Sequence, residues 1–224
     1  MSDKPLINIL TRTSGRPIGL ERNVKSIEAQ TYDNINHIIC TDDVGSVANV
    51  NRLTGKDPIF INKDKVLALD PDKPCMDGRA PKLSLSTGRY SPQNLYLNLL
   101  NEEVEDGYIM YLDDDDYMSP DTAIEEIVEQ ININGEDVVY YFQMERIGRD
   151  ILPRETPNPP KIAHIGGSCL MFHSKHKKHA VWDSWKCSDF RVIERIHNNM
   201  KRYIWIPRPY IKVPKEGLGQ RVDR

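Results

Sequence analysis

"LINILTRTSGRPIGLERNVKSIEAQTYDNINHIICTDD", residues 6–43, decides the architecture of this chain. "LINIL" (6–10) is a short apolar, β-prone run, and the polar "TRTSGRP" (11–17) ends it as a turn-rich loop. Within residues 20–30, Leu20, Val24 and Ile27 recur at i, i+4 and i+7, the spacing of an amphipathic helix. "HIICT" (37–41) is a second buried strand, closed by "DDVGS". Strand, helix and strand in this order predict a right-handed βαβ unit in a parallel sheet.

The rest of the chain continues the alternation. Residues 51–89 are rich in Pro, Gly and Lys and read as an irregular excursion, with a short strand at "PIFI". "SPQNLYLNLLNEEVE" (91–105) opens with Ser-Pro and repeats leucines at helical spacing. "YIMYL" (108–112) is a strand. "SPDTAIEEIVEQI" follows as a helix, with Ser119 as N-cap and Pro120 at its first position. Further strands are expected at 137–144 and 166–172, a Pro-rich loop at 152–161, a helix at 189–200 and an extended segment at 203–214. No internal repeat is present. The pattern is that of one α/β domain, whose ligands gather at the carboxyl ends of parallel strands.

Bulk properties narrow the class. A chain of 224 residues, 39% hydrophobic and 28% charged, can bury one sizeable core. No apolar run approaches the roughly 20 residues that span a bilayer, and the short polar start does not resemble a signal peptide. Cys40, Cys75, Cys169 and Cys187 are scattered without a CxxC pair, which points to reduced thiols and a cytoplasmic protein. The net charge of −3 is uneven. Residues 173–224 hold 13 Lys/Arg against 5 Asp/Glu, a net of +8. Such a basic quarter either meets a phosphate-bearing ligand or polyanion, or offsets the acidic remainder of the same fold.

The chemistry concentrates in "YIMYLDDDDYMSP" (108–120). Four carboxylates about 3.3 Å per residue apart repel one another unless a positive group sits among them. An oxygen-rich, cysteine-free cluster at a strand end, beside a helix start, suits Mg²⁺ or Mn²⁺, which recruit substrate phosphates. By contrast, His173, His176 and His179 are interleaved with lysines and read as a solvated basic face. Trp182 and Trp185 either stack on a ligand or pack in the core. No Gly-rich phosphate loop or Ser/His/Asp arrangement occurs.

Residues 8–43, together with "NLYLNLLNEEVEDGYIMYLDDDDYMSPD" and "SDFRVIERI", resemble the blocks of family 2 glycosyltransferases. The resemblance implies a GT-A-like (Rossmann-like) single domain with a central mixed, mostly parallel sheet. Residues 1–118 would form the nucleotide-sugar half and 119–224 the acceptor half. It also implies a metal-dependent, inverting transferase that uses a nucleotide-sugar, UDP-sugar foremost, with Mn²⁺ or Mg²⁺. Thr11, Thr13 and Arg16 would line the nucleotide pocket, with Asp43 (or its neighbour Asp42) accepting from the base. Asp113 and Asp115 match the Asp-x-Asp positions and the metal, Asp114 and Asp116 are flanking charge with one of the two facing the sugar, and Asp189 matches the general base. Asn98 matches the family's Ala-Arg-Asn block, but Tyr96-Leu97 stand where the Arg belongs. Arg89 or Arg79 would supply the missing cation. The family's glycine before the strand is shifted from position 106 to Gly107. Acceptor candidates are a hydroxylated base in DNA, as some viruses make, and a soluble glycan. A catalytically silent nucleotide-sugar-binding module and a sugar-nucleotide pyrophosphorylase are the rivals, the second disfavoured by the single glycine of "TRTSGRP".

Overall fold

Strand β1 (Ile7–Thr13) runs three residues past the apolar stretch. Thr11, Arg12 and Thr13 keep pairing with Ile39, Cys40 and Thr41 of β2 (Ile35–Thr41), which lies parallel to it. In this computed structural model residues 4–71, 89–200 and 202–215 are described. The expected loop shrinks to residues 14–16, because α1 (Pro17–Glu28) begins at once with Pro17 in its first turn, where an N–H has no helical partner. The strand, helix, strand order read from residues 6–43 is therefore present.

"DDVGS" is not a simple turn. Asp43 is extended and caps α2 (Val44–Thr54), and Gly55 ends that helix with φ 67°. β3 (Ile59–Phe60) falls inside "PIFI", and α3 (Lys63–Ala68) follows it, so the expected irregular stretch contains a further helix. Cys75 and Arg79 lie outside the described residues.

A 3-10 turn (Pro92–Leu95) leads into α4 (Tyr96–Glu102) and then β4 (Tyr108–Tyr111), which lies parallel to β1. Gly107 makes that entry possible. At φ 88°, a Cβ there would sit 2.4 Å from the Leu6 carbonyl oxygen, so the glycine shifted relative to the family block is the one this backbone needs. After β5 (Tyr117–Met118), α5 (Ala123–Asn134) starts three residues later than expected. The Ser119 N–H donates to the Tyr210 carbonyl, which extends the sheet instead of capping a helix. The remaining elements are β6 (Val139–Arg146), β7 (Asp150–Leu152), β8 (Leu170–His173), α6 (Ser188–Asn199) and β9 (Tyr203–Val213).

Among the described residues the strands form one mixed sheet in the order β3-β2-β1-β4-β8-β6-β9-β5, with β7 on β6. β1, β2, β3, β4, β6 and β9 share one direction. Period-two alternation assigns each face its own core. Ile109 and Tyr111 join Leu97, Leu100, Phe190 and Ile193 of α4 and α6. Tyr108 and Met110 join Ile27 of α1 and Ile124, Ile127 and Ile131 of α5. α1, α4, α5 and α6 are thereby pinned to a sheet whose strand ends carry the polar residues.

Candidate functional site

The four aspartates emerge from β4 and are held from below by α1. Asn23, fully buried, donates to the carbonyls of Asp113 and Asp116, both at 3.0 Å. Arg22 donates to the Asp115 carbonyl at 3.1 Å. Gly19 lets the helix come this close, since a Cβ there would meet the Asp114 carbonyl oxygen at 3.0 Å and the Asp115 Cα at 3.2 Å. The start of α1 faces the same loop, and its partial positive charge suits carboxylates.

Arginines supply the positive charge that the run demands. One Arg16 nitrogen, Nη1, donates to Asp114 Oδ1 at 3.1 Å and to Asp115 Oδ2 at 2.5 Å. Asp114 also accepts from the Thr13 hydroxyl at 2.7 Å. Arg12 stands 3.6 Å from Asp113 and donates to Asn94 at 2.7 Å. Compensation is incomplete. Burial, then the charge of Asp113, outweigh the pull of Arg16 and push the Asp115 carboxyl up to about 7. Burial likewise raises Asp114 and Asp116. Burial draws the Arg16 guanidinium down, but the aspartates outweigh it and the net is a raised pKa.

Two cavities meet at this loop. The larger, about 500 Å³, is lined by Thr13, Arg16, Asp42, Tyr96, Arg89 and Asp115, among others. Asp42 accepts from the Tyr96 hydroxyl at 2.9 Å through Oδ2, while its buried Oδ1 has no partner. The smaller, about 220 Å³, is lined by Asp189, Trp182, Lys186 and Gln93. Arg12, Ser91, Gln93 and Asp113 belong to both walls.

Asp189 lies in the first turn of α6, and burial raises its carboxyl. The segment before it is clamped. Arg191 grips Asp183 with two nitrogens at 2.6 and 2.5 Å and donates to the carbonyls of Trp185 and Lys186. This buried fork, bidentate and well aligned, fixes the chain through Cys187 (φ 65°) into the helix.

The structure thus brings Thr13, Arg16, Asp113, Asp114, Asp115, Arg89 and Asp189 around two cavities that share a wall. Three expected residues point elsewhere. The Thr11 hydroxyl bonds His37 at 3.0 Å. Asp43 spends its carboxylate on the backbone N–H and hydroxyl of Ser46 at 2.8 and 2.7 Å, so Asp42 rather than Asp43 faces the cavity. Asn98 exchanges two hydrogen bonds with the Trp182 backbone, both 2.8 Å, and ties α4 to the segment before Asp183. Arg12, Tyr96, Gly19 and Asn23 were not singled out by sequence reasoning. Arg12 lay unremarked inside "TRTSGRP", and Asn23 sits on a helix read only through its apolar stripe.

The donor set for a cation is oxygen only. No cluster of three His, Cys, Asp or Glu that could hold a metal ion occurs among the described residues. Asp113, with a side chain 56% exposed, and Asp115 both face the larger cavity. Two carboxylates that leave coordination positions to ligand oxygens and water fit Mg²⁺ or Mn²⁺. In the histidine segment His176 bonds Asp137 and Lys175 bonds Glu136 at the surface, but His173 ends β8 buried against the Tyr108 ring and is no part of the solvated face expected.

Comparison with known proteins gives a consistent picture. A sequence model described as Glycosyl transferase family 2 matches residues 97–198. No curated protein matches the chain. Among solved structures, S. aureus TarS (residues 1–349, in complex with UDP) superposes with a TM-score of 0.68 at 12% identity, over 93% of this chain and 60% of that one. TarS with UDP-GlcNAc gives 0.66 at 13%, over 94% and 58%. The mannosyltransferase PcManGT from Pyrobaculum calidifontis, in complex with GDP-Man and Mn²⁺, gives 0.64 at 13%, over 96% and 59%. This chain therefore spans about three-fifths of each of those structures. The shared fold is the GT-A-like α/β arrangement expected from the sequence.

Proposed function

We propose that this protein is a metal-dependent glycosyltransferase that moves a sugar from a nucleoside-diphosphate donor to an acceptor hydroxyl with inversion. The observation that carries the reading is the shared wall: Asp113 and Arg12 line both the cavity of Asp42, Arg16 and Asp115 and the cavity of Asp189. The larger space suits the nucleotide. Asp42 Oδ1, buried and unpartnered, is an acceptor for a base N–H, and Tyr96 holds the other oxygen. Residues 1–118 supply this donor half, and the acceptor enters from the 119–224 side.

Transfer then runs as follows. The acceptor hydroxyl oxygen attacks the anomeric carbon and gives its proton to the Asp189 carboxylate. The bond from that carbon to the diphosphate oxygen breaks, and its electron pair leaves with the nucleoside diphosphate. Arg16 and Arg12 lie on the walls where that negative charge develops. Asp113 and Asp115 would hold a divalent cation, which when bound would supply Lewis-acid stabilisation to the diphosphate. Burial makes Asp189 a stronger base than a free carboxylate, and general-base help is worth roughly 10²–10⁴ in rate.

TarS with UDP and UDP-GlcNAc, and PcManGT with GDP-Man, make UDP- and GDP-sugars the donors to test first. A glycan hydroxyl is the acceptor to test first, since part of the basic C-terminal charge is used inside the fold. Lys175, Arg191, Arg208 and Lys212 all pair with Asp or Glu. A donor screen scored by nucleoside diphosphate release, with Mn²⁺ and with EDTA, tests the reading. Release that needs both acceptor and Mn²⁺ is expected. Donor binding without release in any mixture would point to a binding module, and pyrophosphate-dependent turnover to a pyrophosphorylase.

A further inference from the structure

We propose that Arg16 is an internal counter-ion that occupies the cation's carboxylate and thereby makes binding of the cation and of the nucleoside diphosphate interdependent. The inference rests on the donor reading above and adds a rule for how that site fills. Arg16 Nη1 bonds Asp115 Oδ2 at 2.5 Å and Asp114 Oδ1 at 3.1 Å. The Asp115 side chain is only 12% exposed, so little room remains for a second positive group on the same oxygen. A cation that takes Asp115 must move the guanidinium away, because two positive charges a few ångströms apart in a partly buried site repel strongly.

The displaced guanidinium needs another anion. Asp114 offers little more, since Thr13 already donates to its other oxygen at 2.7 Å. Arg16 lines the 500 Å³ cavity beside Asp113 and Asp115, and a diphosphate entering there presents the paired oxygens that a planar guanidinium binds best. Conversely, a diphosphate arriving without a cation meets the carboxylates of Asp113 and Asp115. Each ligand therefore removes the obstacle to the other, and by linkage the effect is reciprocal. An arginine that merely added affinity for phosphate would not hinder the cation on its own.

The test measures Mn²⁺ binding through the paramagnetic resonance signal of the free ion, with and without UDP or GDP, in wild type and Arg16→Gln. Wild type is expected to bind Mn²⁺ weakly alone, and about tenfold or more tightly with nucleotide. Arg16→Gln is expected to bind Mn²⁺ alone more tightly than wild type, with a smaller nucleotide effect. In EDTA, Asp115→Asn releases Arg16 and is expected to bind nucleotide more tightly than wild type. The gain should exceed that of Asp113→Asn, which removes a charge without breaking an Arg16 contact, and should vanish in the Asp115→Asn, Arg16→Gln double variant. This arm decides the matter if Arg16→Gln melts at reduced temperature. Equal Mn²⁺ affinities with equal nucleotide effects in wild type and Arg16→Gln, or equal gains for the two asparagine variants, would overturn the coupling and leave the donor reading standing. Failure of wild type to bind Mn²⁺ in the presence of either nucleotide would sink the donor reading, and the coupling with it.

Discussion

In the proposed mechanism Asp189 accepts the proton, and its chemistry gives a sharp expectation. Asp189→Asn keeps size and hydrogen bonding but removes basicity, so transfer should fall by about two to four orders of magnitude while nucleotide binding persists. A purely structural role predicts a lower melting temperature with near-normal turnover in the folded fraction. Because burial raises this carboxyl, transfer by wild type should climb with pH through a midpoint above the ordinary aspartate value of about 3.9. His37 gives a separate pH expectation, on stability. Burial, with Lys56 adding to it, holds its imidazole down at about 3, and its ring bonds Thr11. The unfolded chain takes up a proton near 6.5 that the folded chain refuses, so the contribution of His37 to stability falls as pH drops from about 7 toward 5, while the raised carboxyl of Asp115 acts in the opposite sense. The wild-type melting temperature should drop over that interval more than that of His37→Asn.

At the scale of elements, α1 and α2 divide the labour of support and access. α1 presents Gly19, Arg22 and Asn23 to the aspartate loop, while Leu20 and Val24 pack against Ile39 and Val50. α2 starts at Asp43, whose carboxylate is committed to Ser46, which leaves Asp42 free to face the cavity. Asp43→Ala should therefore cost about 0.5–2 kcal/mol of stability and leave nucleotide affinity near wild type. Asp42→Asn should do the reverse, with weaker nucleotide binding in isothermal titration and a nearly unchanged melting temperature. The apolar stripe of α1 was legible from Leu20, Val24 and Ile27. α2 was hidden, because "VGSVANVNRLT" sets its apolar Val44, Val47, Val50 and Leu53 among Gly, Ser and Asn, all weak helix formers apart from Leu53, and the helix is bounded by the Asp43 cap at one end and Gly55 at the other. The start of α5 was misplaced because Ser119 is drawn into pairing beside β9, a partner more than 80 residues away along the chain.

Across the whole molecule, part of the charge asymmetry is met by internal pairing. Lys175 meets Glu136 and Asp137, Lys212 meets Glu145, and Lys177 donates to the Val104 carbonyl. Duplex DNA is accordingly not expected to bind at about 50 mM salt. Binding that weakens with a log–log slope of roughly −0.9 per neutralised phosphate would restore a polyanionic acceptor. The alternation of apolar strands and amphipathic helices was enough to determine one α/β domain, because the periods of strand and helix are local and the connection between parallel neighbours is constrained. Placement of the aspartate run at a strand end followed from the same local rules. Which side chains meet there was decided only by the tertiary structure. Asp42 rather than Asp43 faces the cavity, Arg12 stands in the shared wall, and Asn98 turns to Trp182. Asp43 is turned away by its capping of α2 and Asn98 by its bonds to Trp182, while the register of β1 against distant elements settles where Arg12 and Thr13 stand. That register depends on contacts between residues up to about 100 positions apart, such as Thr13 with Asp114, and a linear chain does not display them.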